Sequence, residues 1–281
     1  MKFVQTVVEM QSFQSNSKVI LVPTMGALHE GHASLIKIAR DHAGADGTVI
    51  VSIFVNPTQF DREDDFITYP NTIDSDLAVA ESAGADIVFS PKAEDMYSSD
   101  RSISVTESLL SANLCGATRP GHFDGVCLVC TKLFLITSAT HAVFGEKDYQ
   151  QLAIIRRLVK DLHLPVTILP VETVREDSGL ALSSRNLNLS EEHKKFAPAV
   201  FQGLNMAKQE HAYGVNDCAT LIALVSHHLS QLPIETKIDY LDIVDGVTLE
   251  KLTTIEDQQA VMAIAVFFGE VRLIDNVCLN G

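Results

Sequence analysis

Two histidines on either side of a glycine are the residues of this sequence with the clearest chemical potential. His29 and His32 lie in the string PTMGALHEGH at 23–32, directly after a short apolar run at 18–22 that Pro23 ends. An imidazole can donate a hydrogen bond to a phosphate oxygen in its neutral or its charged form. The spacing predicts that both rings face one phosphate group. The alternative is that one histidine caps a helix and the other is solvated.

The elements around this string place it where open α/β sheets bind ligands. Strand patterns lie at 18–22, 48–55, 86–89, 142–144 and 166–171, and helix patterns at 32–43, 72–83, 123–137 and 147–162. This alternation predicts βαβ units and a parallel sheet with helices on both faces. Ligands of such sheets bind outside the carboxyl ends of the strands, and a helix N-terminus there directs N–H groups at a phosphate. Gly26 and Gly31 allow the backbone to approach that ligand closely.

The pattern changes in the last third of the chain. Ser190 is a predicted helix N-cap, with Glu191 and Glu192 in the first turn, where negative charge is favourable. A second helix is predicted at 216–232, followed by strands at 237–244, 260–268 and 271–277. The predicted fold class is α/β, with a Rossmann-like parallel-sheet domain at 1–178 and a smaller α+β domain at 186–281.

The composition is that of a globular protein with an acidic surface. Of the 281 residues, 46% are hydrophobic and 20% are charged, and the net charge is −15. Because nucleic acids are bound by an excess of Lys and Arg, we expect no nucleic-acid partner. The apolar stretch at 260–268 is far shorter than the roughly 20 residues of a membrane span. The N-terminal MKFVQTVVEMQ lacks the continuous apolar region of a signal peptide, so we expect no membrane partner either.

The five cysteines are few and follow no metal-binding pattern. Cys127 and Cys130 form one C-x-x-C, but no second pair and no histidine pair follows at zinc-site spacing. The apolar run around them is typical of a buried helix. We therefore predict reduced thiols and a cytoplasmic protein.

Longer blocks of the sequence resemble a known family. His-x-Gly-His after a first Rossmann-like strand resembles the nucleotidyltransferase superfamily, and PTMGALHEGHASLI is similar to the pantothenate synthetase (pantoate–β-alanine ligase) family. Further blocks similar to that family follow in order: VSIFVNPTQF at 51–60, RPGHFDGV at 119–126, FGEKDYQQL at 144–152, VREDSGLALSSRN at 174–186 and RLIDN at 272–276.

The resemblance implies an ATP-dependent ligase. In that family ATP converts the carboxylate of pantoate to an acyl-adenylate and releases pyrophosphate, after which the amine of β-alanine attacks and gives pantothenate and AMP. Because a carboxylate is already ionised at neutral pH, the first step needs alignment and positive charge on the phosphates rather than a base. The resemblance also implies Mg²⁺ with the ATP, and a homodimer.

It further implies roles for individual residues. The implied catalytic residues are His29, His32 (the proton donor of the family), Lys147 and Arg185. The implied ATP-binding residues are Pro23, Thr24, Met25, Gly26, Ala27, Leu28, His29, Glu30, Gly31, His32, Gly145, Glu146, Lys147, Asp148, Val174, Leu182, Ser183, Ser184 and Arg185. The implied substrate-binding residues are Asn56, Gln59 and Gln151, and the implied metal ligands are Asp74 and Asp76.

Several of these residue types also have ordinary explanations. Lys147 alone is typical of an exposed helix start, and Ser-Ser-Arg at 183–185 is typical of a surface loop. By residue type alone, Gln59 and Gln151 would be ordinary surface residues. Asp74 and Asp76 also fit simple compensation of a helix dipole. Arg119 and His122 suit either substrate binding or a subunit contact, and the sequence does not separate the two.

The chain departs from the family pattern in one segment. Asn71 stands where an arginine is expected after Tyr-Pro, and the stretch at 61–65 is unusually acidic. Two rival functions also remain: another nucleotidyltransferase, and a nucleotide-binding module without catalysis. A nucleotidyltransferase that acts on a phosphorylated acceptor should need extra basic residues in place of Asn56 and Gln59. A module without catalysis leaves Lys147 and the block at 183–185 unexplained.

Overall fold

The computed structural model describes residues 1–60, 69–70 and 72–280, which form two compact units. The first unit comprises Met1–Ser108, Arg119–Glu146 and Ile154–Glu172, and the second comprises Leu109–Thr118, Lys147–Ala153 and Thr173–Gly281. The boundary predicted between 178 and 186 falls inside the second unit. The second unit also includes Leu109–Thr118 and Lys147–Ala153, and no change of composition marks these two segments in the sequence.

The first unit contains a six-stranded sheet in which every neighbouring pair is parallel, with the order β1-β4-β3-β2-β5-β6. The strands are β1 Lys2–Val4, β2 Val19–Thr24, β3 Thr48–Ile53, β4 Ile87–Phe89, β5 His141–Gly145 and β6 Thr167–Val171. The inner strands β2, β3 and β4 are buried along nearly their whole length, as expected for a sheet covered on both faces. The predicted α/β class and the five predicted strands are confirmed. The three-residue β1 was not predicted.

Helices connect these strands. Those of the first two-thirds of the chain are α1 Val7–Ser12, α2 Glu30–Ala43, α3 Ile73–Ser82, α4 Ala93–Met96, α5 Leu114–Thr118, α6 His122–Thr137 and α7 Tyr149–Asp161. Apolar residues of α2 and α3, such as Ile36 and Ala80, are fully buried in one hydrophobic cluster with strand residues such as Ile20 and Val51. This packing fixes the direction in which α2 leaves the loop before it.

The strand order of this sheet reverses at β2, which pairs with β3 on one side and with β5 on the other. On one side β2 pairs with β3 through its last residue, Thr24, opposite Ile53. On the other side its pairing with β5 involves Ile20 and Leu21. The chain thus changes direction across the sheet at β2, and ligands of open α/β sheets bind at such a switch point.

The second unit contains a three-stranded antiparallel sheet in the order β7-β8-β9. Its elements are helices α8 Glu191–Phe196, α9 Ala199–Ala212 and α10 Cys218–Ser230, and strands β7 Thr236–Asp245, β8 Ala260–Phe268 and β9 Val271–Cys278. The three strands and the Ser190 cap were predicted, and all are confirmed. The separate helix α9 was not predicted. It follows a break at Pro198, whose missing N–H interrupts the helical ladder.

One class of element is missing from the described part of the chain. No helix there combines the length and the apolar character that crossing a bilayer requires.

Candidate active site

The turn after β2 begins at Thr24. Its hydroxyl donates to the carbonyl of Ser52 (2.7 Å) and accepts from the backbone N–H of Gly26 (3.3 Å). Gly26 has a φ of 90°, a conformation that residues with a side chain rarely adopt. A Cβ at this position would lie 3.0 Å from Asp76 Oδ2 and 3.2 Å from the side chain of Ile53. The turn therefore requires glycine.

One buried carboxylate holds the rest of this loop. Asp76 in α3 is 1% exposed, and it accepts from the backbone N–H groups of Ala27 (3.0 Å) and Leu28 (2.7 Å). The hydroxyl of Thr72 donates to the same carboxylate (3.2 Å). These bonds stabilise Ala27 in the left-handed region, at a φ of 50°. The arrangement favours an anchoring role for Asp76 over metal ligation, while Asp74 is exposed.

The two histidines are oriented by the start of α2. His29 is the N-cap residue, and its Nδ1 accepts from the backbone N–H of Gly31 (3.1 Å). The backbone N–H of His29 donates to Nδ1 of His32 (3.3 Å), and the ring centroids are 4.1 Å apart. Because each Nδ1 accepts a hydrogen bond, each neutral ring carries its hydrogen on Nε2. His29 does cap the helix, and both rings keep a donor at Nε2.

Asn56 and Gln59 follow β3 in a 3₁₀ turn, Pro57–Gln59. They are 1% and 8% exposed. The amide of Asn56 donates to Gln59 Oε1 (3.0 Å) and to the carbonyl of Gly125 (3.1 Å), so both of its hydrogens are bound by protein atoms. Gln59 Nε2 lies 2.8 Å from the sulfur of Met25. The structure therefore brings Gln59 to the loop that carries the histidines.

Arg119 and His122 both point to the backbone of that turn. Nδ1 of His122 lies 2.7 Å from the carbonyl of Gln59, and an Arg119 guanidinium N–H donates to the same carbonyl (3.4 Å). The sequence left substrate binding and a subunit contact open for these two residues. The structure shows a third use, support of the Gln59 main chain.

In the second unit, predicted phosphate-binding residues share one small cavity of about 20 Å³. Lys147, Ser183, Arg185, Asn186, Arg272 and Asp275 are among its lining residues. The guanidinium of Arg272 is paired with Asp239 (2.7 Å). Among the described residues, neither Lys147 nor Arg185 has an ion-pair partner, so two positive charges remain for an anion.

Two adjacent residues of β9 hold the segments that carry these cations. Asn276 donates to the backbone carbonyl of Lys147 (2.9 Å). Both carboxylate oxygens of Asp275 accept from the guanidinium of Arg175, at 2.7 and 2.9 Å. That guanidinium also lies 3.5 Å from the ring centroid of Phe201. The block RLIDN, which showed no chemistry in the sequence, is thus the anchor of both segments.

Asn186 adds an unused acceptor to the same cavity. It is 9% exposed, and its Nδ2 donates to the carbonyl of Ala181 (3.0 Å). Its Oδ1 has no hydrogen-bond partner in the described part of the chain. Buried acceptors are normally satisfied, so a donor is expected at this position when the cavity is occupied. Nothing in the sequence alone indicated a role for this residue.

Comparisons with known proteins show the family of this chain. The model of the pantoate–β-alanine ligase family matches residues 2–278. The chain belongs to this family. A pantothenate synthetase of Akkermansia muciniphila is 52% identical over 94% of this chain and 93% of its own. The crystal structure of pantothenate synthetase from Thermus thermophilus superposes with a TM-score of 0.93 at 40% identity, covering 100% of both chains.

A third relative was solved with ligands. Pantoate–β-alanine ligase from Francisella tularensis, complexed with Beta-gamma ATP and Beta-alanine, has a TM-score of 0.81 at 34% identity and covers 100% of this chain and 99% of its own.

The predicted site residues of this pantoate–β-alanine ligase family member fall into two sets, one in each unit. The first unit groups the loop at 23–32 with Gln59, Asn56 and Asp76. The second unit groups Lys147 with Ser183 and Arg185. A hydrogen bond from the Leu182 N–H to the carbonyl of Val174 (3.0 Å) supports the segment that carries Ser183 and Arg185. Gln151 is half-buried in α7, and Asp148 is exposed. Asn71 and the acidic stretch at 61–65 lie outside the described residues.

Proposed function

We propose that this chain condenses pantoate with β-alanine to pantothenate at the expense of ATP. The observation that carries the proposal is the family match over residues 2–278. Two steps are proposed. A carboxylate oxygen of pantoate bonds to the α-phosphorus of ATP and pyrophosphate leaves. The amine of β-alanine then bonds to the acyl carbon, loses a proton, and AMP leaves with the electron pair of the broken C–O bond.

His29 and His32 are proposed to stabilise charge on the phosphates. Their Nε2 donors, at the N-terminus of α2, suit phosphate oxygens because charge on these oxygens rises during in-line displacement. His32 is proposed as the proton donor. The backbone of the loop at 23–28 approaches the nucleotide, as the φ of Gly26 permits.

Lys147, Ser183, Ser184 and Arg185 are proposed to bind the ATP phosphates. Support comes from the two positive charges that have no ion-pair partner within the described residues, and from hydroxyl donors beside them. Arg185 suits two phosphate oxygens at once, and Lys147 acts as a point charge. Gln59 and Gln151 are proposed to bind pantoate, because amide groups bond hydroxyls and carboxylates without adding charge.

Mg²⁺ is proposed to arrive with ATP. The described residues include no group of three His, Cys, Asp or Glu side chains that could hold a metal ion. Asp76 already accepts three hydrogen bonds, so it is a poor direct ligand for the ion. Phosphate oxygens and water are the expected ligands of Mg²⁺ bound with ATP. From the family resemblance we also propose a cytoplasmic location and a homodimer. Light scattering of the purified chain can check the homodimer.

Exchange of labelled pyrophosphate into ATP tests the reaction. We expect exchange that requires pantoate but not β-alanine, followed by pantothenate formation when β-alanine is added. Exchange that is absent at saturating Mg²⁺ contradicts the proposal. Exchange that needs a phosphorylated acceptor instead of pantoate indicates another nucleotidyltransferase, and ATP binding without any exchange indicates a module without catalysis.

A further inference from the structure

The carboxamide of Asn56 has only one possible orientation. Its Oδ1 faces the backbone N–H of Thr58 (3.3 Å) and its Nδ2 faces the carbonyl of Gly125 (3.1 Å). A backbone N–H can only donate and a carbonyl can only accept, so exchanging O and N would break both bonds. The main chain therefore fixes the direction of this side chain.

The orientation of Gln59 follows from that of Asn56. Because Nδ2 of Asn56 donates to the Gln59 side chain (3.0 Å), the atom that receives this bond must be oxygen. The N–H₂ group of Gln59 therefore points to the other side, where it meets the sulfur of Met25 (2.8 Å). A thioether is a weak acceptor. A carboxylate or hydroxyl oxygen of a ligand would accept a stronger hydrogen bond from the same N–H₂ group.

Tyr97 completes the set. Its hydroxyl donates to Oδ1 of Asn56 (2.7 Å). Burial raises the pKa of the Tyr97 phenol above its usual range, so the group remains a donor at neutral pH.

Gly125 is also required, since a Cβ there would lie 2.3 Å from the carbonyl of Thr58. Any side chain at this position would push α6 away from the turn.

We propose that Tyr97 and Asn56 are positioning residues that hold Gln59 as a hydrogen-bond donor to the acid substrate. Arg119 and His122 hold the main chain of Gln59 in the same way through its carbonyl. Asn56 then acts on the substrate only through Gln59, because both of its amide hydrogens are already bound. The inference rests on the proposed binding of pantoate by Gln59.

Tyr97→Phe is the mildest test, since it removes one hydroxyl and keeps the ring. We expect the KM for pantoate to rise about 3- to 10-fold, the loss typical of one neutral hydrogen bond. The KM for ATP and the kcat should stay within about 2-fold of the wild type, since the nucleotide does not depend on this contact. Tyr213→Phe is the matched control, because Tyr213 is 86% exposed, and it should change nothing.

A double-mutant cycle with Gln59→Met separates positioning from a direct contact. Methionine keeps the length of the side chain but has no amide. If Tyr97 acts through Gln59, Tyr97→Phe should have almost no further effect in the Gln59→Met background. Effects of the two substitutions that multiply, or a Tyr97→Phe enzyme with the wild-type KM for pantoate, overturn the proposal.

A spectroscopic measurement keeps the test independent of catalysis. In isotope-labelled protein, the Asn56 carboxamide protons should exchange slowly with water, and Tyr97→Phe should shift the carboxamide resonances of Asn56 and Gln59. Fast exchange at Asn56 overturns the positioning network even in an active enzyme. Slow exchange with the expected shifts, in a chain that makes no pantothenate, supports the network and contradicts the proposed function instead.

Discussion

Each unit uses one buried aspartate to hold a segment that carries candidate nucleotide-binding residues, but the two aspartates have different partners. Asp76, 1% exposed, accepts from two peptide N–H groups and a hydroxyl. Asp275, 5% exposed, is paired in a bidentate manner with the guanidinium of Arg175. The first carboxylate is stabilised by neutral donors, the second by an opposite charge.

This difference determines what each site needs. At Asp76 the essential property is that both oxygens accept, because the loop presents only donors. At Asp275 the essential property is the negative charge, because Arg175 is itself only 16% exposed at its side chain. Replacement by asparagine therefore breaks the two anchors for different reasons.

The largest effect is expected where the first unit meets the phosphate itself. His32→Ala should lower the rate of pyrophosphate exchange by about two to three orders of magnitude, as for loss of one preorganised donor. His32→Asn is the matched variant, since its amide oxygen can still accept from the N–H of His29 but it has no donor at the Nε2 position. We expect it to be more stable than His32→Ala and equally inactive. An active His32→Asn enzyme would assign the histidine to the helix cap alone.

At the ion pair, Asp275→Asn should lower the free energy of unfolding by about 3–5 kcal/mol, because it leaves a largely buried guanidinium without its partner. Urea denaturation measures this loss. The double variant Arg175→Met/Asp275→Leu should recover most of the stability, since neither charge remains. A double variant as unstable as Asp275→Asn contradicts the pairing argument.

At the neutral anchor, Asp76→Asn should cost less, about 1–3 kcal/mol, the range for one buried hydrogen bond left unmade. Its amide N–H₂ would face the N–H of Ala27 or Leu28, so we expect the KM for ATP to rise as the loop loosens. Asp74→Asn is the control, because Asp74 is exposed and should leave both quantities unchanged. Equal losses at Asp76 and Asp275 would remove the distinction between the two anchors.

The smallest expected effect concerns the reactivity of the thiols, because their burial also differs between the units. Burial raises the pKa of Cys127 to about 12 and raises that of Cys130 as well, so both remain protonated at pH 8. In the second unit Cys115 and Cys278 are half-buried, while Cys218 is buried. Iodoacetamide at pH 8 should therefore label Cys115 and Cys278 first and leave Cys127 and Cys130 untouched, as peptide mapping can show. Rapid labelling of Cys127 in the native protein contradicts its burial.

The sequence predicted the fold class, nearly all long elements and the family. The predicted bounds of α2 and β8 lie within two residues of the observed ones, because apolar periods and helix caps are local signals. The anchors were not predictable, since Arg175 and Asp275 are 100 positions apart and nothing in either segment indicates the other. Asp76 was predicted as a metal ligand from its position in the family pattern alone. Only the structure shows the hydrogen bonds that it accepts from the N–H groups of Ala27 and Leu28.

The hydrogen bonds of β9 also impose an order on biosynthesis. Lys147 and Arg175 are made long before Asp275 and Asn276, yet they depend on these residues for their placement. A growing polypeptide therefore lacks both supports until β9 has left the ribosome. Loss of this one strand by premature termination would leave the Lys147 and Arg175 segments intact in sequence but without the contacts that orient them.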